Sequence, residues 1–489
     1  MNLVELLYAS ADRYSARRAV TDVRSGRSLS YGQLARETQR VAAFLKSEGV
    51  EPGQRIGLLA PNDPAYLPAA FGLLAAGACL VPLASNLTPV EVAEIVREVQ
   101  LNGCLAWPRA DGRADVPGGP ADAAVRRAVV RGGECDGFTF RWIDRGARAP
   151  AEFDALNAAF IRFTSGTTAR SKGVVLSHEA TAARVEAADR VLKFSEEDRI
   201  LWVLPLAYHF AVTIVAYVRA GAHILMCSET LPKGMLDAAR RLEPSVLYAA
   251  PLHFERMANL GPSRPLTSIR VTLSTAAPIS PAVMDRFESV YGVPVGQAYG
   301  IIEAGLACIN LGIEGLPATS VGRPVPGYEV AVLSEETEPP GLAPETMGEV
   351  AVRGDGLFSA YYAPWRLREQ ITRDGWFLTG DLGWLDRAGA LHLKGRKKSV
   401  ILVAGLKFFP EEVEDCINQF PGITESRVFS RPHAHVGEVP CAEVVLDARG
   451  CDLGGLKAHC VRVLSSFKVP IEFTVVDAVA RTPSGKIYR

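Results

Sequence analysis

Residues 163–174 read Phe163-Thr164-Ser165-Gly166-Thr167-Thr168-Ala169-Arg170-Ser171-Lys172-Gly173-Val174, a short span dense in hydroxyls, glycine and cations. Gly166 lets the backbone approach a ligand closely, the hydroxyls of Thr164, Ser165, Thr167 and Thr168 donate hydrogen bonds, and successive N–H groups can face one concavity. Lys172 adds a compact positive charge. Together these residue types make a binding loop for phosphate oxygens. The order differs from a Walker loop, in which the lysine follows its glycines; here the hydroxyls come first and Lys172 precedes Gly173. Taken alone, the segment also reads as a Ser/Thr/Gly turn with no ligand.

Such a loop needs rigid elements on both sides. Residues 159–163 before it and 174–178 after it are strand-like. Along the chain, apolar runs rich in β-branched residues (200–204, 223–226, 246–249, 269–273) alternate with amphipathic stretches, the pattern of parallel strands covered by helices. Thr88-Pro89-Val90-Glu91 opens a helix with an N-cap, Pro at N1 and Glu at N3, placing Ile95, Val96 and Val99 on one face. Ser280-Pro281 opens another, with Val283, Met284, Phe287 and Val290 inward and Gly292 past its end. The polar, Gly/Pro-rich residues 108–146 read as peripheral loop.

The chain has 489 residues, too many for one core. Its 53 Lys+Arg balance 54 Asp+Glu, so the basic surplus of a general nucleic-acid binder is missing. Nine cysteines are scattered without a Cys-x-x-Cys pair, as in a reduced, cytoplasmic protein. His433-x-His435 near Cys441 is weakly metal-like in a loop context. The two long uncharged runs, 64–90 and 200–218, are interrupted by Pro68, Pro82 and Pro205, and predict buried strands and helices joined by turns, with no membrane span.

Further motifs follow the loop in order. They are Tyr299-Gly300-Ile301-Ile302-Glu303, then Thr379-Gly380-Asp381, then Gly395-Arg396-Lys397-Lys398 with Gly405 and Pro410-x-Glu412, and finally Arg481-Thr482-Pro483-Ser484-Gly485-Lys486. With the opening loop, they resemble the ordered motifs of the adenylate-forming superfamily: acyl-CoA synthetases, aryl-acid ligases and nonribosomal peptide synthetase adenylation domains. The resemblance spans nearly the whole chain. It implies an α/β fold with a large multi-subdomain N-terminal α/β domain (1–396), followed by a small mobile α+β C-terminal lid (397–489).

The implied chemistry is attack of a carboxylate on the α-phosphorus of ATP, giving acyl-AMP and pyrophosphate, and then thioester formation. Charge grows on phosphorus oxygens and leaving group, so positioning and electrostatics carry catalysis. By resemblance, Thr164, Ser165, Gly166, Thr167, Thr168 and Lys172 hold phosphates, Glu303 holds Mg2+, and Tyr299 with Gly300 lies against adenine. Asp381 takes the ribose hydroxyls with help from Arg396, Lys486 meets the reacting carboxylate and α-phosphate, and Lys398 is the hinge. Three residues depart from the pattern: Ile302 replaces the usual Thr, and Ala169 and Ser171 replace Gly and Pro.

The segment Pro205-Leu206-Ala207-Tyr208-His209-Phe210 aligns with the acid-pocket wall, where amino-acid-activating members carry an Asp. No Asp or Glu occurs between Leu201 and Glu229. A buried ammonium would lack a partner there, so the expected acid is apolar, aliphatic or aryl. Thr275, Ala276, Ala277 and Gly300 complete the expected wall, beside Tyr208 and His209. The thiol acceptor is coenzyme A or the phosphopantetheine of a carrier protein acting in trans. Two other readings stand beside this one: an adenylate-former that serves a non-thiol acceptor, and a non-catalytic nucleotide- or acyl-binding homologue.

Overall fold

The computed structural model describes residues 1–107, 126–127, 137–163, 172–228, 231–312, 315–334, 341–403, 406–433, 437–448, 450–481 and 487–488. The chain divides into two compact units, Met1–Val330 with Val352–Phe377, and Ala331–Ala351 with Leu378–Arg489.

In the first unit the described residues form two nine-stranded sheets. One runs in the order Arg323–Pro324, Gly305–Asn310, Gly296–Ile301, Val271–Ser274, Val246–Ala249, Arg199–Trp202, His223–Met226, Arg18–Asp22, Ser28–Ser30. Its central pairings are parallel and its edges antiparallel, so the middle strands are covered on both faces and are almost entirely apolar. The expected helix from Ser280 is present over Pro281–Tyr291. The Ser280 side chain caps it, Gly292 closes it in the left-handed conformation (φ 71°), and Met284 and Phe287 are buried with Leu247, Phe254 and Met257.

The second sheet holds the strands on both sides of residues 164–171, the loop expected to bind phosphates. Ala158–Phe163 pairs antiparallel with Gly173–Ser177, which pairs in turn with Ala360–Tyr361; Cys79–Ala84, Arg55–Ala60 and Gly103–Ala106 continue it in parallel. The helix expected at Thr88 spans Pro89–Val99 with its capping box formed and Ile95, Val96 and Val99 buried. Residues 108–146 are not all loop: Thr139–Trp142 is a strand pairing with Gly103–Ala106. Alternating Phe138, Phe140 and Trp142 supply its apolar side, a period-two signal hidden by the polar residues around it.

The uncharged run 64–90 resolves into the helix Tyr66–Ala75 and the strand Cys79–Ala84, and 200–218 into a strand and three short helical segments. Among the described residues, no helix is long and apolar enough to cross a membrane.

In the second unit, Leu406–Phe408, Ile401–Val403, Gly437–Leu446 and Ile423–His433 form an antiparallel sheet, with Glu472–Val475 parallel to Gly437–Leu446. His433 ends a strand and does not lie in a loop. Helices Pro410–Asn418 and Leu453–Val463 contribute Val413, Ile417 and Leu456 to a core with Ile401, Val428 and Val444, so this unit has a hydrophobic core of its own.

Two histidines tie remote segments of the first unit together. His178 begins the helix His178–Leu192, and its Nδ1 accepts the Leu3 backbone N–H at 3.1 Å; His223 Nε2 lies 2.8 Å from Thr21 Oγ1. Burial pushes both down to about 4, with Arg18 and Arg199 adding to the effect at His223. A depressed folded value means that the unfolded chain binds more protons between about 4 and the ordinary value near 6.5. Their stabilisation is therefore complete above that ordinary value and fades as pH falls through the window, by about 1.4 kcal/mol per pH unit for each histidine. Melting temperature should drop with acidification across this range. The His178→Gln/His223→Gln protein should show a shallower slope; an equal slope would assign the loss to other groups.

Candidate active site

The first unit builds its site around Glu303. Strand Gly296–Ile301 delivers Tyr299 and Gly300 and then turns back into Gly305–Asn310. A Cβ on Gly300 would meet Gly305 O at 2.7 Å and Leu306 Cδ2 at 3.0 Å, so this tight return requires glycine. Tyr299 is buried, at 6 % exposure.

Just past the strand, Glu303 is held at both ends. Its backbone carbonyl accepts from Phe358 N (2.7 Å) and Arg184 Nη2 (3.3 Å), and its carboxylate Oε1 accepts the Tyr361 hydroxyl at 2.9 Å. Arg184, 1 % exposed on the helix His178–Leu192, also donates to the carbonyls of Ile302 (3.0 Å) and Gly356 (3.1 Å). A buried guanidinium thus spends its donors on three carbonyls and fixes the turn that presents Glu303. The backbone of Ile302 serves this clamp whatever its side chain is, so replacing the usual threonine leaves the Glu303 anchor intact.

Tyr361 also meets the lysine expected from the sequence. Its strand pairs with Gly173–Ser177, with Tyr361 opposite Val174, and Lys172 Nζ lies 4.6 Å from the centre of the Tyr361 ring. Burial and then the Glu303 charge push the Tyr361 hydroxyl well above its ordinary value, so it stays a donor to the carboxylate. One tyrosine therefore links the carboxylate and the cation. Thr164, Ser165, Gly166, Thr167 and Thr168 lie outside the described residues.

The expected acid wall takes shape from a different set of elements. Tyr208 and His209 lie on the short helix Leu206–His209, both half-buried. The His209 ring contacts Trp202 at 5.5 Å and Tyr248 at 6.1 Å, and those two rings stack at 5.8 Å. Thr275 is buried beyond strand Val271–Ser274, Ala276 takes φ 73°, and Ala277 is exposed. A left-handed non-glycine residue is a strained conformation, of the kind that gathers at ligand sites.

In the second unit, Asp381 and Arg396 stand opposite each other on the antiparallel strands Phe377–Leu385 and Leu391–Arg396 and form an ion pair, Nε to Oδ1 at 2.8 Å. Thr379 Oγ1 donates to Val350 O (2.8 Å) and accepts from Asp381 N (3.1 Å), so the Thr-Gly-Asp turn is built as a unit. Lys398 falls in the single 3-10 turn Lys397–Ser399 after the second strand; its side chain lies outside the described residues. Lys397 pairs with Glu349 at 3.1 Å, and Glu412 pairs with Lys468 at 2.5 Å and Lys394 at 3.4 Å. Lys486 lies outside the described residues. On either side of it, Arg481 and Ile487 form a backbone bridge, and Arg481 pairs with Glu425.

The AMP-binding enzyme family matches residues 7–362, and the AMP-binding enzyme C-terminal domain matches residues 412–486. The chain belongs to the AMP-binding enzyme family, the adenylate-forming superfamily. It is 30 % identical over 491 residues to a methyl-dioxo-octahydro-indenyl propanoyl:CoA ligase of Rhodococcus jostii, covering 94 % of this chain and 92 % of that protein. It is 28 % identical over 486 residues to a sulfoacetate–CoA ligase of Cupriavidus necator, covering 95 % and 92 %. ATP-bound MatB from Rhodopseudomonas palustris superposes with TM-score 0.83 at 25 % identity, covering 100 % of this chain and 97 % of that one. This family member is an AMP-forming acid–thiol ligase: it activates a carboxylic acid with ATP as an acyl-adenylate and passes the acyl group to a thiol.

Two residues that hold Glu303 carry no motif signal. Tyr361 and Arg184 reach Glu303 across 58 and 119 positions of chain, and only the tertiary fold brings them there. Arg162 did have a local signal, a charge inside an otherwise apolar strand just before the loop.

Proposed function

We propose that this ligase activates an apolar carboxylic acid, aliphatic or aryl, and that its acceptor thiol belongs to coenzyme A or to the phosphopantetheine arm of a carrier protein acting in trans. The observation that carries the reading is Tyr361 bridging Glu303 and Lys172, which presents a carboxylate and a cation together at the strand following the phosphate loop. That pairing suits magnesium on one side and phosphate oxygens on the other.

The donor set fits magnesium. Glu303 offers a hard carboxylate with Oε1 taken by a neutral hydroxyl, and among the described residues no cation pairs with it. Bound there, the ion would neutralise charge developing on the phosphates as pyrophosphate leaves. The chain's own groups supply the remainder. Lys172 and the loop hydroxyls orient the polyphosphate, Tyr299 covers the adenine face, Asp381 accepts from the ribose hydroxyls, and Lys486 approaches the reacting carboxylate when the lid, hinged at Lys398, closes over it.

For the acid, the walls near His209 are Trp202 and Tyr248, which are aromatic and buried, and no Asp or Glu is present from 202 to 228. Burying an unpaired ammonium costs several kcal/mol. Matched acids with and without an α-amino group, compared by kcat/KM, should favour the acid that lacks it by at least tenfold. His209→Asp, which supplies a counter-charge, should narrow that ratio. A preference for the amino form in the unmodified protein would refute the substrate reading.

A further inference from the structure

Arg162 is a buried cation whose chemistry is half used. It lies on strand Ala158–Phe163 at 6 % exposure, and one guanidinium nitrogen, Nη2, donates to the backbone carbonyl of Tyr208. Its other terminal nitrogen, Nη1, is buried with no hydrogen-bond partner. Tyr66 is in the same condition: fully buried, with its hydroxyl unpartnered. Among the described residues no carboxylate forms an ion pair with Arg162. Such groups are costly to leave unsatisfied, and a guanidinium more so than a neutral donor.

The sheet register says where this donor points. Arg162 stands opposite Val174, and Val174 stands opposite Tyr361. Directly opposed residues in antiparallel strands share a face, so Arg162 emerges on the face that carries Tyr361 and its bond to Glu303, two strand spacings or roughly 10 Å away. Phe160 shares that face, two residues before Arg162, and its ring meets Phe210 at 6.1 Å; Tyr66 meets the same Phe210 ring at 5.9 Å. Arg162 and Tyr66 therefore converge beneath the helix that carries Tyr208 and His209, between the acid wall and Glu303. Burial lowers the Arg162 guanidinium to about 10, with Arg184 adding repulsion and Tyr66, Tyr208 and Glu303 opposing it, so it remains a cation at neutral pH.

We propose that Arg162, assisted by the Tyr66 hydroxyl, is the positively charged floor of the acid site and binds an oxygen of the substrate carboxylate. The inference rests on the acid-site reading above and deepens it. An apolar tail leaves the carboxylate as the acid's one anionic group, and a buried guanidinium with a spare N–H matches it. Lys172 stands near the phosphate loop, whereas Arg162 is tied to the Tyr208 carbonyl. The polyphosphate and the acid thus meet different cations.

The test measures acid-dependent ATP–pyrophosphate exchange with octanoate, benzoate and cinnamate in the full-length protein. Arg162→Met should raise the KM for the acid at least tenfold while the KM for ATP stays within twofold, Arg162→Lys should recover part of the loss, and Tyr66→Phe should raise the acid KM about threefold. The Tyr66→Phe protein keeps the buried ring, so it reports even where Arg162→Met does not fold. An increase confined to the ATP KM, or unchanged constants in both, overturns the proposal. Should the unmodified protein show no exchange with any acid, the substrate reading fails separately, and bromide-soaked crystals decide the anion site. A bromide peak against Arg162 Nη1 and Tyr66 Oη that disappears in Arg162→Met supports the site; an ordered water or empty density there overturns it.

Discussion

Lys486→Ala should remove adenylation and leave folding untouched. The lysine lies in the terminal motif, within the matched C-terminal domain, and among the described residues the buried core of the second unit is built from residues 401–460. In the adenylation step, negative charge accumulates between the acid carboxylate and the α-phosphate, and a positioned ammonium stabilises that arrangement more than it stabilises the separate substrates. Losing such a group costs about 2.7–4 kcal/mol of transition-state stabilisation, or roughly 10²–10³ in rate. Acid-dependent pyrophosphate exchange should fall by that factor with an unchanged melting temperature. Thioester formation from pre-formed acyl-AMP should be affected far less, because there the thiol attacks the acyl carbon and AMP leaves, with no substitution at the α-phosphorus. Exchange near the unmodified rate would remove Lys486 from the reaction.

Glu303→Gln should cost at least as much. The substitution keeps the size and an oxygen for the Tyr361 hydroxyl, and the carbonyl of residue 303 still receives Arg184 and Phe358, so the turn survives. What disappears is the charge that a divalent cation requires. An amide is a much poorer partner for a hard ion than a carboxylate, and loss of one preorganised electrostatic group corresponds to about 3–4 kcal/mol. Turnover should drop roughly 10²–10³-fold, with a rise in the magnesium concentration giving half-maximal rate. Tyr361→Phe makes the complementary comparison. It removes a hydroxyl and retains the carboxylate and the ring beneath Lys172, so about 1.5–3 kcal/mol is at stake at most, the range for a hydrogen bond to a charged group. If Glu303→Gln and Tyr361→Phe lose the same activity with no change in magnesium dependence, Glu303 acts through the fold and not through a metal.

The parts of this protein legible in its sequence are those set by local chemistry. Ser280 and Thr88 announce helix starts because a side-chain oxygen, a proline and the following apolar spacing are all within one turn, and both helices form where expected. Glu303, Lys172, Asp381 and Arg396 stand out because short motifs hold them, and the register of two antiparallel strands then brings the last two into a pair. The parts that escaped depend on distant segments or on diluted patterns. Tyr361 carries no motif; its role arises from the pairing of Ala360–Tyr361 with Gly173–Ser177. Thr139–Trp142 escaped because four residues of alternation sit within a polar stretch, and Ile423–His433 because one of its two buried positions is the polar Ser426, beside Val428, which dilutes the apolar alternation. Arg162 was visible as a charge in an apolar strand, but its significance depends on a burial and a register that only the fold defines.

Product analysis with MgATP and a panel of apolar acids, with and without coenzyme A, tests acid activation by this protein directly. Acid-dependent AMP and pyrophosphate are expected, with an acyl-AMP detectable by mass spectrometry when no thiol is present and its conversion to an acyl-CoA thioester when the thiol is added. ATP binding without acid-dependent pyrophosphate release for any acid in the panel would contradict acid activation and point to a non-catalytic homologue. An acyl-AMP that forms but never reaches coenzyme A or a phosphopantetheinylated carrier would contradict the assigned acceptor.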